Sequence, residues 1–353
     1  MNAVKKLAVN LGLFVLSATV CLGLLECLVR WLFPMYDPAA VVKFYFNQDG
    51  VLLGEKNTVA NQWMKAGDFN VQIHINQYGF RDKKDVKWST AKDWFVVGDS
   101  FSFGHGVEEE DRYSNVLEGM LGQPVYNISI PADFDGYDKL VAYAQQHGAT
   151  IKQLLIGVCM ENDLQHYIQQ ASPSSDISSS EHDVQASSSS PYDVKIRKSI
   201  VFRLRMFLGE RLAIYNLVNA LFYRSQFLER IIKKVGFVDK SEEVLESSSD
   251  RLVRLKMQRD IPEVVVVIIP SRALWLGENK AVERQIHTRF VELLKQRGFP
   301  VIDLLPYFEA GENPLQYHFR NDGHWNMNGH RKAAEVIAAY LRESHLNKPR
   351  EGK

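Results

Sequence analysis

The chain has 353 residues, of which 46% are hydrophobic and 24% charged, a size that suits one sizeable α/β domain with additions. Its formal net charge is zero, so no global electrostatic field favours nucleic acid as a partner. Cys21 and Cys27 lie in the apolar N-terminal segment, which leaves Cys159 without a partner in the folded part. The sequence therefore predicts no disulfide framework, no cysteine metal site and no cofactor.

Residues 1–36 are predicted to form an uncleaved signal-anchor. Lys5 and Lys6 precede an almost wholly apolar run from Leu7 to Val29, which is long enough to span a bilayer as a helix. The run is longer than the apolar part of a cleaved signal peptide, and no small-residue cleavage site follows it. The lysines favour a cytoplasmic N terminus, so we expect a single-pass protein of the inner (cytoplasmic) membrane with its main domain in the periplasm. The alternative is a buried helix of a soluble protein.

Residues 37–92 are predicted to form a small β-rich segment that leads into the main domain. The segment Asn70–Asn76 alternates apolar and polar residues, as a half-buried strand does. His74 in this strand is expected to be a surface or packed histidine. A turn is expected to follow at 77–82.

Residues 93–345 alternate between strand and helix patterns. The plainest strand is the β-branched run Val264–Ile269, which is typical of a strand buried on both faces. Strands are predicted at 93–98, 124–130, 153–159, 263–269 and 299–304. Helices are predicted at 109–122, 134–148, 278–297 and 326–344. This alternation predicts an α/β domain with a parallel sheet and right-handed crossovers.

An insertion is expected at 164–260. Its stretch 172–190 is serine-rich with few apolar residues and is predicted to be disordered. The following stretch, 199–235, has a helical pattern that mixes basic and apolar residues. Such a helix either packs on its own domain or touches a membrane surface.

The stretch Val96–Gly104 contains the first chemical motif. An apolar strand pattern stops abruptly at Gly98-Asp99-Ser100, which would place Ser100 at the carboxyl edge of the sheet, where open α/β folds bind ligands. A turn with a helix cap is the alternative reading. A serine nucleophile needs a base, usually a histidine that a third group orients.

His324 is the candidate base, because it lies in a loop after the last strand and before the last helix. That position brings it to the same sheet edge as Ser100. His330 falls inside the helix and is expected at the surface, and His105 and His318 have no clear orienting partner. Candidates for oxyanion donors follow the second and third strands: the loop 127–132 through backbone N–H groups, and Asn162 through its side-chain amide.

Together these residues resemble the SGNH, or GDSL, hydrolase superfamily. The resemblance rests on Gly98-Asp99-Ser100, Asn162-Asp163 and Asp322-Gly323-His324, and it covers residues 70–342 apart from the insertion. The segments 75–82 and 98–107 look like a bacterial branch with an N-terminal anchor. The resemblance implies a three-layer α/β/α, flavodoxin-like fold and ester chemistry without a metal. It also implies Ser100 as nucleophile and oxyanion donor, His324 as base and Asn162 as a second donor.

Two positions depart from the superfamily's pattern. Ala132 stands where the middle oxyanion donor is usually glycine; a backbone N–H survives, but a glycine-only conformation would not suit alanine. Asn321 stands where the orienting aspartate usually lies, three residues before the histidine. Asp322 is therefore our candidate for that role, while an asparagine-oriented histidine or a Ser-His dyad stays open.

These features predict a membrane-anchored, extracytoplasmic serine esterase that acts on acyl esters, for example O-acetyl groups of an envelope or exported polysaccharide. An O-acyltransferase of the same fold is an alternative, because water and a sugar hydroxyl attack the same acyl-enzyme. A catalytically inactive binding or assembly subunit is the other alternative, since two positions of the motif depart from the pattern.

Overall fold

The structure, a computed structural model, describes residues 3–165, 167, 204, 207–225, 240–311 and 313–346. The chain forms two compact units, residues 1–41 with 168–227 and residues 42–167 with 228–353. The helices are α1 (Ala3–Leu32), α2 (Ser100–Phe103), α3 (Tyr113–Leu121), α4 (Phe134–Gln146), α5 (Ala213–Ser225), α6 (Glu242–Gln258), α7 (Lys280–Gln296), α8 (Leu305–Glu309) and α9 (Met327–Leu346). The strands are β1 (Phe44–Phe46), β2 (Leu52–Gly54), β3 (Thr58–Trp63), β4 (Asn70–Ile75), β5 (Trp94–Gly98), β6 (Val125–Asn127), β7 (Gln153–Cys159), β8 (Glu263–Ile269) and β9 (Val301–Asp303).

The first unit is built on the apolar helix α1. Its stretch Lys5–Leu32 contains an 18-residue window with a mean hydropathy of 2.2 and is long and apolar enough to cross a membrane. The carboxylate of Glu26 accepts hydrogen bonds from the first backbone N–H groups of α5, those of Ala213 (2.7 Å) and Ile214 (3.0 Å). An acidic side chain at a helix N terminus satisfies N–H groups that have no partner within the helix. This contact joins α1 to α5.

The second unit begins with two small antiparallel sheets, β1–β2 and β3–β4. The alternation predicted for 70–76 is present, since Ile73 and Ile75 are buried while Asn70 and Gln72 are exposed. The hairpin loop between β3 and β4 reaches the candidate site, as described below.

The main sheet has five parallel strands in the order β6-β5-β7-β8-β9. Counted along the chain this is the order 2-1-3-4-5 of a flavodoxin-like fold. The predicted fold class is therefore confirmed. The strands predicted at 124–130 and 299–304 are shorter in the structure; both are edge strands, which have a pairing partner on one side only.

Helices cover both faces of the sheet. Phe95 and Val97 of β5 point into one core, together with apolar residues of α4, α6 and α7. Trp94 and Val96 point into the other, together with residues of α3 and α9. This alternation is what a strand between two helical layers requires.

The predicted insertion 164–260 contains α6, which packs against α4 and α7 as a helix of this α/β layer. The serine-rich stretch 172–190 lies outside the described residues, and so does much of 199–235.

Candidate active site

The nucleophile candidate lies at the carboxyl end of β5, the second strand from the sheet edge. The chain turns at Asp99, whose side chain accepts a hydrogen bond from the Phe101 N–H (2.9 Å) and so caps the short helix α2. Gly98 is required by close packing, because a Cβ there would lie 2.3 Å from the Ser102 hydroxyl oxygen and 2.9 Å from the Gly157 carbonyl oxygen. The motif is thus a tight strand-to-helix turn with Ser100 as the first helical residue.

His324 contacts this serine directly. Its Nε2 lies 2.7 Å from the Ser100 Oγ. Two other rings pack against it: His105 stacks on it with ring centres 4.1 Å apart, and the centre of the Phe101 ring lies 5.0 Å away. The imidazole therefore has a fixed orientation in which Nε2 is placed to take a proton from the serine hydroxyl.

Asp322 faces the other nitrogen of this histidine. Its Oδ1 lies 2.5 Å from the His324 Nδ1 and also accepts the His324 backbone N–H at 2.8 Å. Burial disfavours the charged carboxylate, but hydrogen bonds and the charge of His324 outweigh burial and lower the pKa of Asp322 to about 2. Asp322 is therefore ionised at neutral pH and is placed to stabilise an imidazolium.

Asn321 has a different partner. Its backbone N–H and its side-chain amide both donate to the carboxylate of Asp68, each at 2.7 Å. Asp68 lies in the loop between β3 and β4. The residue in the usual aspartate position thus ties the histidine loop to this hairpin, and the carboxylate that contacts His324 comes from the next residue.

The two predicted oxyanion donors other than Ser100 follow β6 and β7, the strands on either side of β5. Ala132 lies between β6 and α4. It is not among the described residues with a positive φ, so its backbone does not have a conformation that only glycine adopts easily. Asn162 lies in the turn after β7, where its N–H donates to the Cys159 carbonyl and its side chain is exposed. The Asn162 amide also acts on Asp99, whose carboxylate it helps to stabilise.

A buried acidic network supports that turn. Asp163 accepts hydrogen bonds from the Cys159 N–H (2.8 Å) and the Tyr137 hydroxyl (3.0 Å), and burial together with the charge of Asp99 raises its pKa. Burial raises the pKa of Asp99 to about 6, against the opposing effects of the Phe101 N–H and His324. Two carboxyl groups that share a buried region cannot both ionise easily, so the charge of either one raises the pKa of the other.

The segment after the nucleophile is held by a buried arginine. The guanidinium of Arg81 donates to the carbonyls of Gly104 and Val107, both at 2.6 Å, and to that of Phe103 at 3.2 Å. Burial lowers the pKa of Arg81 to about 9, so it still carries its charge at neutral pH. The Gly-Phe-Arg-Asp sequence at 79–82 therefore fixes the loop 103–107, which carries His105.

One set of the described side chains is close enough to hold a metal ion: His105, Asp322 and His324, each with one ligand atom within 4.8 Å of the others. His324 contacts Ser100, and Asp322 contacts His324. The set therefore overlaps the Ser-His-Asp arrangement and is not a separate centre.

Sequence reasoning missed three contributors to this site, Gln62, Asp68 and Arg81, and set His105 aside because it had no clear orienting partner. His105 does have a partner, the side chain of Gln62. Its position five residues after Ser100 was a usable signal, whereas Gln62 and Asp68 come from a distant hairpin that no local motif identifies. His330 is fully buried, not at the surface as expected, because α9 packs that face against α3.

The C-terminal third of the chain is similar to a known protein family. Residues 238–353 match the family model described as ALGX: SGNH hydrolase-like domain, acetyltransferase AlgX. The match includes Asp322 and His324, and Ser100 lies outside it. No curated protein matches the chain.

Several solved structures are similar in fold. A lipolytic protein of the G-D-S-L family from Veillonella parvula is 10% identical, with 71% of this chain and 98% of that chain covered and a TM-score of 0.37. A lipase/acylhydrolase from Enterococcus faecalis is 10% identical, with coverages of 71% and 96% and a TM-score of 0.39. An acetylxylan esterase from Geobacillus stearothermophilus, solved as a catalytic mutant, is 11% identical, with coverages of 73% and 95% and a TM-score of 0.38.

Proposed function

We propose that the chain is a member of the SGNH/GDSL superfamily and a membrane-anchored serine enzyme that acts on acyl esters. The match of residues 238–353 to a family model described as an SGNH hydrolase-like domain supports this proposal. The observation that carries the proposal is the continuous contact from the Ser100 Oγ through His324 to Asp322. These three groups have the roles that acyl transfer to a serine needs, namely a nucleophile, a base and an ion that stabilises the base once it is protonated.

The proposed reaction has two steps. The Ser100 oxygen attacks the acyl carbon while His324 Nε2 takes its proton, and the ester C–O bond breaks as His324 returns that proton to the leaving alcohol. Water or another hydroxyl group then attacks the acyl-enzyme, with His324 as base again. The bond between the acyl carbon and the Ser100 Oγ breaks, and His324 returns the proton to that oxygen. The Ser100 N–H, the Ala132 N–H and the Asn162 amide are the proposed donors to the oxyanion.

The two departures from the superfamily's pattern do not argue for an inactive subunit. Ala132 keeps a backbone N–H in an ordinary conformation. The role of Asn321 as a partner of Asp68 leaves Asp322 as the carboxylate that contacts His324. We therefore favour an enzyme over a binding or assembly protein.

Acyl transfer to a sugar hydroxyl is the second candidate. It is favoured by the similarity of residues 238–353 to a family model whose description includes an acetyltransferase. The test is to give the full chain, in detergent, an aryl acetate with and without an acetyl-free polysaccharide. Release of acetate without any acetylated polysaccharide supports the esterase; acetylated polysaccharide supports the transferase. An aryl-ester turnover no faster than that of a Ser100→Ala variant contradicts both.

The anchor is part of the same proposal. The helix α1 would hold the chain in the inner membrane with the α/β unit on the periplasmic side, where an envelope or exported polysaccharide carrying O-acetyl groups would be the substrate. A reporter active only outside the cytoplasm, fused after Lys353, should be active. A reporter active only in the cytoplasm, when fused at the same place, should be inactive; the opposite pair of results contradicts this orientation.

A further inference from the structure

His105 is a second histidine at the candidate site that the reaction proposed above does not use. It lies on the loop after α2, and its ring stacks on His324. Its Nδ1 lies 2.9 Å from the side-chain nitrogen of Gln62, and its Nε2 lies 3.8 Å from the second carboxylate oxygen of Asp322, Oδ2. The ring thus connects the hairpin β3–β4 to the carboxylate that contacts the base.

The orientation of Gln62 determines which nitrogen of His105 carries the proton. The Gly106 N–H lies 2.8 Å from the Gln62 side chain, and an N–H is only a donor, so the atom that faces it must be the amide oxygen, Oε1. The amide nitrogen then faces His105 and donates to Nδ1. His105 in its neutral form therefore carries its proton on Nε2, the atom that faces Asp322.

The surroundings keep His105 neutral. Burial and the neighbouring charge of His324 lower its pKa to about 4, although Asp322 favours its charged form. The charged or titratable groups that act on it are His324, Asp322 and Arg81. A neutral ring is compatible with an imidazolium on His324, whereas a second charged ring 4.1 Å away would oppose it.

The carboxylate oxygens of Asp322 are divided between the two histidines. Oδ1 is occupied by the backbone N–H and the Nδ1 of His324, while Oδ2 faces the Nε2–H of His105. At 3.8 Å this second contact is electrostatic, and such contacts often shorten when substrate binds.

We propose that His105, oriented by Gln62, is a positioning residue that holds Asp322 and the ring of His324 in the geometry needed to activate Ser100. The inference rests on the proposed function. It assigns to the lead-in hairpin a part in catalysis: Gln62 sets the proton on His105, His105 directs that N–H at Asp322, and Asp68 fixes the adjoining residue Asn321.

The test measures the rate at which a fluorophosphonate probe labels Ser100 in the full chain in detergent. His105→Phe keeps a ring for stacking but removes the N–H, and we expect labelling at pH 7 to be about tenfold slower. His105→Gln restores a side-chain N–H and should recover part of the rate. His74→Phe, a half-buried histidine on the same hairpin, is the matched control and should label at the wild-type rate.

Two further variants separate positioning from a purely structural role. Gln62→Glu can still accept the Gly106 N–H, but its second oxygen would draw the proton of His105 to Nδ1. We expect Gln62→Glu to slow labelling as much as His105→Phe does. The double variant Gln62→Glu/His105→Phe should label no more slowly than His105→Phe alone. In an Asp322→Asn background, His105→Phe should reduce the labelling rate little further, because His105 acts through that carboxylate.

Wild-type labelling rates in both His105→Phe and Gln62→Glu overturn this inference. The inference is also overturned if His105→Phe reduces the labelling rate by the same factor in the Asp322→Asn background as in the wild-type chain. That result indicates that His105 only supports the fold. If His105→Phe does not fold, Gln62→Glu alone decides. These results are distinct from a failure of the proposed function, in which the wild-type chain itself is not labelled at Ser100.

Discussion

Replacement of Asp322 by asparagine tests how the base is stabilised. The substitution keeps the size of the side chain and removes its charge. In the wild-type protein Oδ1 accepts the His324 backbone N–H as well as facing Nδ1. We therefore expect the amide oxygen of the introduced asparagine to remain in that place and its amide nitrogen to take the place of Oδ2. The tautomer of His324 should survive, and the loss should be mainly electrostatic.

The size of this loss follows from the pKa of Asp322. Its fall from 3.8 to about 2 in the folded protein corresponds to roughly 2–3 kcal/mol in favour of the carboxylate. This net figure combines burial, hydrogen bonds and the charge of His324. Since His324 carries a full positive charge while it holds the serine proton, we expect its interaction with the carboxylate to stabilise the transition state by a similar amount. We therefore expect kcat/KM to fall by about 30- to 150-fold.

The assay is the hydrolysis of a short-chain aryl ester by the full chain, with thermal unfolding as a check on folding. The matched control is Asn321→Ala, which removes the side-chain contact with Asp68 and leaves the carboxylate in place. This variant should lose much less activity. If Asp322→Asn loses less than about threefold while Asn321→Ala loses more, the orienting role belongs to Asn321 and the reasoning is wrong.

The remaining predictions concern stability and the oxyanion. Gly98→Ala should lower the free energy of unfolding by about 1–3 kcal/mol, because its Cβ would lie 2.3 Å from the Ser102 hydroxyl; an unchanged denaturation midpoint contradicts this packing. Asn162→Ala should lower kcat about a hundredfold with little change in unfolding, and an unchanged kcat removes Asn162 from the oxyanion site. Burial lowers the pKa of His318 to about 3, so wild-type stability should fall as the pH drops from 6.5 towards 3, where the unfolded chain binds the proton first. His318→Phe should flatten that part of the stability curve, measured by denaturation at several pH values; an unaltered slope contradicts the expectation.

Local patterns predicted the elements of the fold well. The β-branched run of β8 and the abrupt stop of β5 at Gly98 are signals that neighbouring residues carry by themselves, and both strands lie where expected. The positions of Ser100 and His324 followed from topology, because parallel strands bring their carboxyl ends to one edge of a sheet. Asp322 was preferred to Asn321, which holds the usual position, because a carboxylate can balance an imidazolium, and its contact with His324 is present in the structure.

The lead-in hairpin carries what could not be predicted. Asp68 and Asn321 are 253 positions apart in the chain, and Gln62 and His105 are 43 apart. Neither pair has a periodicity or a spacing that a local pattern would detect. The burial of His330 was missed for a related reason: the apolar face of α9 is defined by its packing on α3, which places a polar ring inside the core.

The most direct test of the central claim is mass spectrometry of the intact chain mixed with an activated acyl ester, followed by peptide mapping. We expect one acyl group on the peptide that contains Ser100, with the adduct lost in Ser100→Ala and formed orders of magnitude more slowly in His324→Ala. In ester turnover, the double variant Ser100→Ala/His324→Ala should be little slower than either single variant, because the two residues act as a unit. An adduct on another residue, or full activity in Ser100→Ala, would contradict the account.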